Sequence, residues 1–170
     1  MMRKWAWLAA AVVIADQAVK LVSLQLHRTV TLIPGVLAFT YAENTGMAFS
    51  LFSGQPWLLG VLSAACILAG WAALRRYRLG TLSRVAAMLM LGGALGNMID
   101  RFLRGFVIDM FRTLFMEFAI FNVADAALTV GTALMAVSLV FRPEEWRETN
   151  GRTDDKDNGS NGRDGMDGRD

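Results

Sequence analysis

Four long apolar runs divide this chain, and they constrain its fold more than any other feature. They cover residues 5–26, 56–74, 85–99 and 118–141. A helix of about 20 apolar residues is about 30 Å long, which is the thickness of the hydrocarbon core of a bilayer. Hydrophobic residues make up 54% of the chain. We therefore predict a mainly α membrane protein with four transmembrane helices, although the third run is short for a full span.

Charged residues inside two of these runs are candidates for function. An acid at mid-membrane costs at least about 2.5 kcal/mol, so an ionisable residue there is a functional candidate by default. Asp125 is the one charge of the last run, and Asn122 precedes it by three residues on the same predicted helix face. Asp16 and Lys20 lie four apart in the first run. They are either a mutually neutralising pair that makes the helix insertable, or residues that face a working cavity.

The first run is expected to be a retained helix rather than a cleaved signal peptide. Apolar residues continue past Asp16, and no clean small-residue cleavage site precedes a polar mature domain.

The segment after the first run carries the clearest strand signals. Residues 29–33 and 36–41 are β-prone and are separated by Pro34 and Gly35, which predicts a small hairpin on the membrane surface. Asn44 and Gly46 follow in the string Asn-Thr-Gly-Met-Ala-Phe. Gly46 permits a positive φ angle or a close backbone approach, and a plain turn is the alternative.

The end of the third run combines small and polar residues. Gly92 and Gly96 have the spacing that lets helix backbones touch, so we interpret them as packing residues. Asn97 and Arg101 share a helix face with Asp100 alongside, and an ordinary helix end with solvated charges is the alternative.

The connection to the last run holds an acid inside an apolar stretch, Asp109. After it, four apolar residues recur at helical spacing and predict an amphipathic segment on the bilayer surface: Phe111, Leu114, Phe115 and Phe118.

The distribution of basic residues predicts the orientation. With the N-terminus inside, the cytoplasmic basic residues are Arg3, Lys4, Arg75, Arg76, Arg78, Arg84, Arg142 and Arg147, against Arg28, Arg101, Arg104 and Arg112 outside. This asymmetry agrees with the positive-inside rule. It places one polar set at the outer leaflet: Lys20, Asn44, Asn97, Arg101, Asp109, Asn122 and Asp125. Residues 142–170 form a polar tail that we expect to be cytoplasmic and disordered.

Several classes of site are excluded by composition. A single cysteine, Cys66, precludes an intrachain disulfide. Together with the single histidine, His27, this count argues against a Cys/His metal cluster or a Cys-His nucleophile pair. Nucleic-acid binding would require a stripe of basic residues with accessible aromatic side chains, and the sequence contains no such stripe.

Two carboxylates in a low-dielectric site tend to share a proton, which supplies a general base and a general acid. Asp109 and Asp125 could therefore hydrolyse a peptide bond. Two other hypotheses stay open on the residues alone. One is a transporter or proton relay that uses Asp16, Lys20 and Asp125. The other is a Ser/Lys hydrolase that uses Lys20 with Ser50 or Ser53.

The polar motifs, taken in order, resemble the lipoprotein signal peptidases (signal peptidase II), a family of bacterial inner-membrane aspartic proteases. The resemblance covers residues 5 to about 141 and implies that Asp109 and Asp125 match the catalytic pair. The other residues that match motif positions are Asp16, Lys20, Asn44, Gly46, Asn97, Asp100, Arg101, Asn122 and Ala124.

The resemblance also implies a four-transmembrane-helix bundle with a small periplasmic β-cradle and a short amphipathic periplasmic helix. The implied substrate is a diacylglyceryl-modified prolipoprotein, cut before its lipidated cysteine, without a metal or cofactor. A monomer with both termini in the cytoplasm is expected. The chain departs from the family at Glu43, where Arg is often found, and in the short connection between Asp109 and Asp125.

Overall fold

The computed structural model describes residues 2–46 and 54–148 of the chain. In this part the four predicted helices are α1 (Ala6–Ser23), α2 (Pro56–Leu74), α3 (Thr81–Leu103) and α4 (Val123–Phe141). Each is long and apolar enough to cross a membrane. The four-helix prediction is confirmed. The third run, predicted to be short, is extended at both ends into the longest helix, of 23 residues.

Helix α3 lies at the centre and packs against each of the other three helices. Small residues permit the close contacts. A Cβ added to Gly92 would lie 2.9 Å from the carbonyl oxygen of Ala9 in α1, and one added to Gly93 would collide with the carbonyl oxygen of Ala124 in α4. A Cβ on Gly131 of α4 would lie 3.0 Å from the carbonyl oxygen of Ala86. The predicted packing role is therefore confirmed for Gly92. Gly96 is also tightly packed, because an added Cβ would lie 2.7 Å from Asp16 Oδ2 in α1 and 3.2 Å from the Cβ of Ala124 in α4.

The described residues form five strands, which are β1 (Val30–Ile33), β2 (Leu37–Asn44), β3 (Tyr77–Leu79), β4 (Val107–Thr113) and β5 (Trp146–Glu148). β1, β2 and β4 form an antiparallel sheet in that order. Gly35, with φ of 71°, allows the tight turn between β1 and β2, and the predicted hairpin is confirmed. We call the end of the bundle that carries this sheet the sheet end.

The prediction of an amphipathic helical segment at Phe111–Phe118 is wrong. Phe111 belongs to β4, where it pairs with Phe39 of β2, and residues 114–120 form no helix. The sheet satisfies the backbone hydrogen bonds of residues 107–113, and this outweighs the helical spacing of the apolar side chains. No short amphipathic helix occurs among the described residues between the four long helices; residues 47–53 lie outside the described part.

Helix α4 begins later than its apolar run. Asn122 is the N-cap, and Phe121 pairs with Phe111 instead of continuing the helix. The side chain of Asn122 accepts from the backbone N–H of Asp125, and the Asp125 carboxylate accepts from the backbone N–H of Asn122. This capping box places Asp125 in the first turn. The prediction that Asn122 shares the helical face of Asp125 is therefore wrong, because Asn122 precedes the helix.

The opposite end of the bundle is closed by residues beyond the predicted domain boundary at Phe141. A 3₁₀ turn at Pro143–Glu145 leads into β5, which pairs antiparallel with β3. We call residues 143–148 the C-terminal clasp, and this end the clasp end. The disorder predicted for the tail does not apply to these residues. For residues 149–170, which lie outside the described part, it stays a prediction.

Candidate active site

The sheet end gathers polar side chains from α1, β2, α3, β4 and α4. All eleven residues singled out in the sequence lie in one connected network of hydrogen bonds and ion pairs, which comprises Asp16, Lys20, Asn44, Gly46, Asn97, Asp100, Arg101, Asp109, Asn122, Ala124 and Asp125. Within the described residues every buried polar side-chain atom has a hydrogen-bond partner. Such a network inside an apolar bundle is costly unless it is fully satisfied, and it is satisfied here.

Asp109 enters the network from β4. It lies opposite Ala42 of β2 and is only 3% exposed. Its Oδ2 accepts from Asn44 Nδ2 at 3.0 Å, and its Oδ1 accepts from Asn122 Nδ2 at 2.7 Å. The sheet therefore presents this carboxylate to the start of α4 with both oxygens held.

Asp125 enters from the first turn of α4 and is less buried than Asp109. Its Oδ1 accepts from Asn97 Nδ2 at 2.7 Å, and its Oδ2 accepts from the backbone N–H of Asn122 at 3.2 Å. The positive end of the helix dipole further favours a carboxylate in this position.

Asn122 joins the two acids, because its side-chain amide donates to Asp109 and its backbone N–H donates to Asp125. Each of the four carboxylate oxygens thus accepts one N–H from the protein. A carboxylate oxygen has two lone pairs, so each keeps capacity for a further donor such as a water molecule or a substrate group.

Burial raises the pKa of Asp109 from its ordinary value of 3.8 to about 6. The nearby charge of Asp125 raises this pKa as well, while the hydrogen bonds from Asn44 and Asn122 and the charge of Lys20 lower it. Asp109 therefore keeps its proton to a higher pH than an ordinary aspartic acid. A carboxyl group tuned in this way is typical of proton-transfer sites.

Behind these acids lies a buried ion cluster centred on Lys20, which is fully buried together with Asp16 and Asp100. Lys20 Nζ lies 2.7 Å from Asp16 Oδ2 and 2.8 Å from Asp100 Oδ2. Asp16 also accepts from the backbone N–H of Ala124, and Asp100 from that of Ile108. The cluster ties α1 to the start of α4 and α3 to β4. Since Asp100 is buried, the alternative of a helix end with solvated charges is wrong for it.

Two members of the cluster were not recognised from the sequence. Arg104 forms an ion pair with Asp100, and it donates to Gln17 Oε1 at 3.2 Å. Gln17 Nε2 donates in turn to Asp100 Oδ1 and Asp16 Oδ2, each at 3.2 Å. The i,i+4 spacing of Asp100 and Arg104 was the available signal. With Arg104 included, the cluster holds two acids and two bases, so its charges balance.

Arg101 lines the same region without joining an ion pair. Its Nη1 donates to the carbonyl oxygen of Asn97 at 3.4 Å, and its Nη2 to that of Gly46 at 3.5 Å. Within residues 2–46 and 54–148, no carboxylate lies within 4.0 Å of its guanidinium group. Gly46 itself donates through its backbone N–H to Asn44 Oδ1, so this turn connects Arg101 with the residue that holds Asp109.

The environment of Lys20 argues against a Ser/Lys hydrolase. An ammonium group has three donors, and those of Lys20 face Asp16, Asp100 and Asn97. All three donors of Lys20 are therefore used within the network, which leaves none to face a serine nucleophile. Ser50 and Ser53 lie outside the described residues.

Comparison with known sequences gives a consistent set of relatives. A profile described as Signal peptidase (SPase) II matches residues 8–141. The lipoprotein signal peptidase of Lactobacillus johnsonii is 42% identical over 139 residues, which are 79% of this chain and 90% of that protein. That of Lactococcus lactis subsp. cremoris (strain MG1363) is 42% identical over 133 residues, 75% of this chain and 87% of that protein.

Two solved structures of bacterial membrane enzymes, obtained by the in meso method, have the same fold. The structure at 2.3 Å resolution has a TM-score of 0.73 at 32% identity and covers 78% of this chain and 85% of its own. The structure at 1.9 Å resolution has a TM-score of 0.73 at 31% identity and covers 80% and 92%. The profile match ends at residue 141, just before the clasp begins at Pro143.

Proposed function

The chain belongs to the signal peptidase II family and is a multi-pass membrane protease; we propose that Asp109 and Asp125 are its catalytic pair. The observation that carries this proposal is the bridge of Asn122, which holds both carboxylates at the sheet end of the bundle. The substrate that we propose is a diacylglyceryl-modified prolipoprotein, cut before its lipidated cysteine. The names of the relatives support this choice.

In this mechanism the two acids share one proton. The ionised partner takes a proton from a water molecule, which attacks the scissile carbonyl carbon, and the protonated partner donates to the leaving amine. The raised pKa of Asp109 supports a protonated group at this position. No metal or cofactor takes part in this mechanism, and the absence of both stays a prediction.

The remaining network residues have supporting roles. Asn44, Asn97 and Asn122 fix the orientation of the two carboxylates by donating to them. Arg101 supplies a cation that is free of ion pairs among the described residues and could bind a developing negative charge on the substrate. The other proposed supporting residues, which build the frame behind the acids, are Asp16, Lys20, Gly46, Asp100 and Ala124.

The enzyme is proposed to lie in the bacterial inner membrane as a monomer, with the sheet end on the periplasmic side and both termini in the cytoplasm. The basic residues support this orientation, because Arg75, Arg76, Arg78 and Arg84 lie around β3 at the clasp end. Exposed apolar side chains on the helices, such as Ile14, Leu68 and Val140, suit contact with lipid.

The transporter alternative is not favoured. Family membership indicates proteolysis, and the buried charges gather at one end of the bundle rather than at mid-membrane, where transport sites lie.

The test is cleavage of a lipidated precursor by purified protein, followed as a gel shift. Asp109→Asn and Asp125→Asn should each lower the rate by at least about 10²–10⁴-fold, the usual contribution of a general acid or base. Glu43→Gln is the matched control, because Glu43 is exposed on β2 and bonds Tyr41 rather than the network. Wild-type-like cleavage by either Asp variant would refute the assignment of the pair.

A further inference from the structure

We infer that Lys20 is a positioning residue for the reaction, acting through Asn97: it orients the Asn97 amide so that its N–H group points at the Asp125 carboxylate. This inference rests on the proposed function, with Asp125 taken as the ionised general base and Asp109 as the protonated partner. Lys20 itself makes no ion pair with Asp109 or Asp125.

Asn97 is the link between the ion cluster and the acid pair. It is 6% exposed, and both ends of its side-chain amide are used. Its Oδ1 accepts from Lys20 Nζ at 3.2 Å and from Asn122 Nδ2 at 3.0 Å, while its Nδ2 donates to Asp125 Oδ1 at 2.7 Å.

Chemistry fixes this orientation of the amide. Lys20 has donors only, so the atom of Asn97 that faces it must be the carbonyl oxygen. A flipped amide would set its NH₂ group against the ammonium of Lys20 and its oxygen against the carboxylate of Asp125. Both contacts would be repulsive in a buried site, where an unsatisfied polar contact is most costly.

The consequence for Asp125 is a permanent donor on Oδ1. A hydrogen bond to the ionised form of a carboxyl group favours that form. The other charges that face Asp125 are Asp109 on β4 and Arg101 on α3. Those that face Lys20 are Asp16 on α1 and Asp100 on α3, with Arg104 behind Asp100.

The experiment must separate orientation of the amide from loss of charge and from loss of folding. Lys20→Met alone would leave two buried acids with one base, so Asp16→Asn is added to keep the cluster balanced. The decisive comparison is then Asp16→Asn/Lys20→Gln with Asp16→Asn/Lys20→Met. These two variants have the same charge and similar size at position 20, but only glutamine keeps a donor for Asn97 Oδ1.

The readout is the pH profile of kcat/KM for cleavage, whose acidic limb reports ionisation of the general base. Without the donor at position 20, Asn97 Oδ1 keeps only the hydrogen bond from Asn122 Nδ2, so the amide is held less firmly against Asp125. The ionised base is then less stable, its apparent pKa rises, and the acidic limb moves to higher pH. We expect the methionine variant to shift the limb upward by about one pH unit relative to the glutamine variant, the effect of one hydrogen bond to a charged group.

Asn97→Leu tests whether the effect passes through the amide. In that background the methionine and glutamine variants should have the same acidic limb. If Asp16→Asn/Lys20→Met does not fold, Asn97→Leu is compared instead with Asn97→Leu/Asp16→Asn/Lys20→Gln. The acidic limbs of these two pH profiles are again expected to coincide. Different limbs in either comparison would overturn the inference, because Lys20 would then act through space.

Equal limbs for the glutamine and methionine variants with Asn97 intact would also overturn it. These outcomes differ from failure of the proposed function. In that case Asp109→Asn or Asp125→Asn would retain activity, whatever the behaviour of position 20.

Discussion

Buried polar contacts join helices α3 and α4 at both the sheet end and the clasp end of the bundle. The two sets of contacts differ in the number of charges that they contain. At the sheet end the contacts involve several charges, among them Lys20, Asp100 and Asp109. At the clasp end a single carboxylate, Glu145, terminates a short chain of hydroxyl and indole groups.

The hydrogen bonds at the clasp end have a fixed direction. Trp146 Nε1 donates to Ser138 Oγ at 3.1 Å, and Ser138 Oγ lies 2.5 Å from Ser83 Oγ. Ser83 Oγ donates in turn to Glu145 Oε2 at 3.0 Å. An indole only donates and a carboxylate only accepts, so Ser138 must donate to Ser83. The backbone N–H of Ser83 also donates to Glu145, which therefore caps the start of α3.

The carboxyl groups at the two ends differ in their pKa, and this difference suits the sheet end to proton transfer and the clasp end to helix attachment. The backbone N–H of Ser83 and then its hydroxyl lower the pKa of Glu145, so this carboxylate stays ionised. Burial raises the pKa of Asp109, so that carboxyl group can gain and lose a proton near neutral pH. On the proposed assignment of the acid pair, the sheet end serves the reaction, while the clasp end holds the helices that carry it.

Asn122→Leu, at the sheet end, should give the largest effect of the predicted substitutions, and it should act on the rate of cleavage. It removes the amide donor to Asp109 and the side-chain cap of α4. We expect cleavage to fall by about 100-fold or more, since loss of one preorganised donor to a reacting group has effects of that size. The cap contributes only about 1 kcal/mol to stability. Cleavage rate and thermal midpoint in the same detergent are the measurements.

Ser83→Ala is the matched change at the clasp end, because it removes a buried donor to a carboxylate without touching the acid pair. It should lower the thermal midpoint while cleavage by the folded fraction stays within a few-fold of wild type. If it reduced cleavage as strongly as Asn122→Leu, the proposed division between the two ends would be wrong.

The sequence predicted the helices and the acid pair for local reasons. An apolar run of membrane length has few other folds available to it, and acids such as Asp109 and Asp125 stand out inside apolar stretches. The resemblance supplied the remaining network residues, including Asn44 and Asn97, because their chemistry is not visible from local spacing.

The features that were missed depend on partners distant in the chain. Phe111 had helical spacing with its neighbours, but β2 was available to pair with its backbone. Asn122 reads as part of an apolar run until its cap with Asp125 is considered. Glu145 appeared to be one charge at the start of a polar tail, and its partner Ser83 lies 62 residues earlier. No local pattern reveals such a contact.

Gly80→Ala should have an intermediate effect, confined to the clasp end. A Cβ at this position would lie 2.6 Å from Glu145 Oε2 and would collide with the side-chain carbons of Glu145. The carboxylate can swing away only by releasing both groups of Ser83. We expect a loss of about 1–3 kcal/mol in the free energy of unfolding, the cost of leaving buried donors unsatisfied. Thermal unfolding in detergent measures it.

Gly70→Ala is the control for this change. Gly70 lies in α2, and an added Cβ meets no atom within 4 Å. Alanine is also the better helix former, so no loss of stability is expected. An equal loss in both variants would show that the effect of Gly80→Ala comes from something other than the clasp.

Glu145→Gln should have the smallest effect, since glutamine keeps an acceptor for Ser83 and loses only the charge. A charge at a helix start contributes about 0.3–1 kcal/mol. Because the folded-state pKa of Glu145 lies below its ordinary value of 4.5, this contribution is present above pH 4.5 and is lost as the pH falls through the folded-state pKa. The stability difference between wild type and the variant should therefore be full at neutral pH and shrink in acid.

Glu144→Gln is the matched control for this pH dependence. Glu144 is exposed and, within the described part of the chain, its one ion pair is with Arg142 at the surface, where such a pair contributes little to stability. Denaturant unfolding at neutral and acidic pH compares the two variants. A loss for Glu144→Gln as large as that for Glu145→Gln would assign the effect to the overall charge of the clasp. A smaller loss for Glu144→Gln would assign the effect of Glu145→Gln to the cap of α3. The stabilising charge at the clasp end would then be the carboxylate of Glu145, which has no role in the proposed reaction.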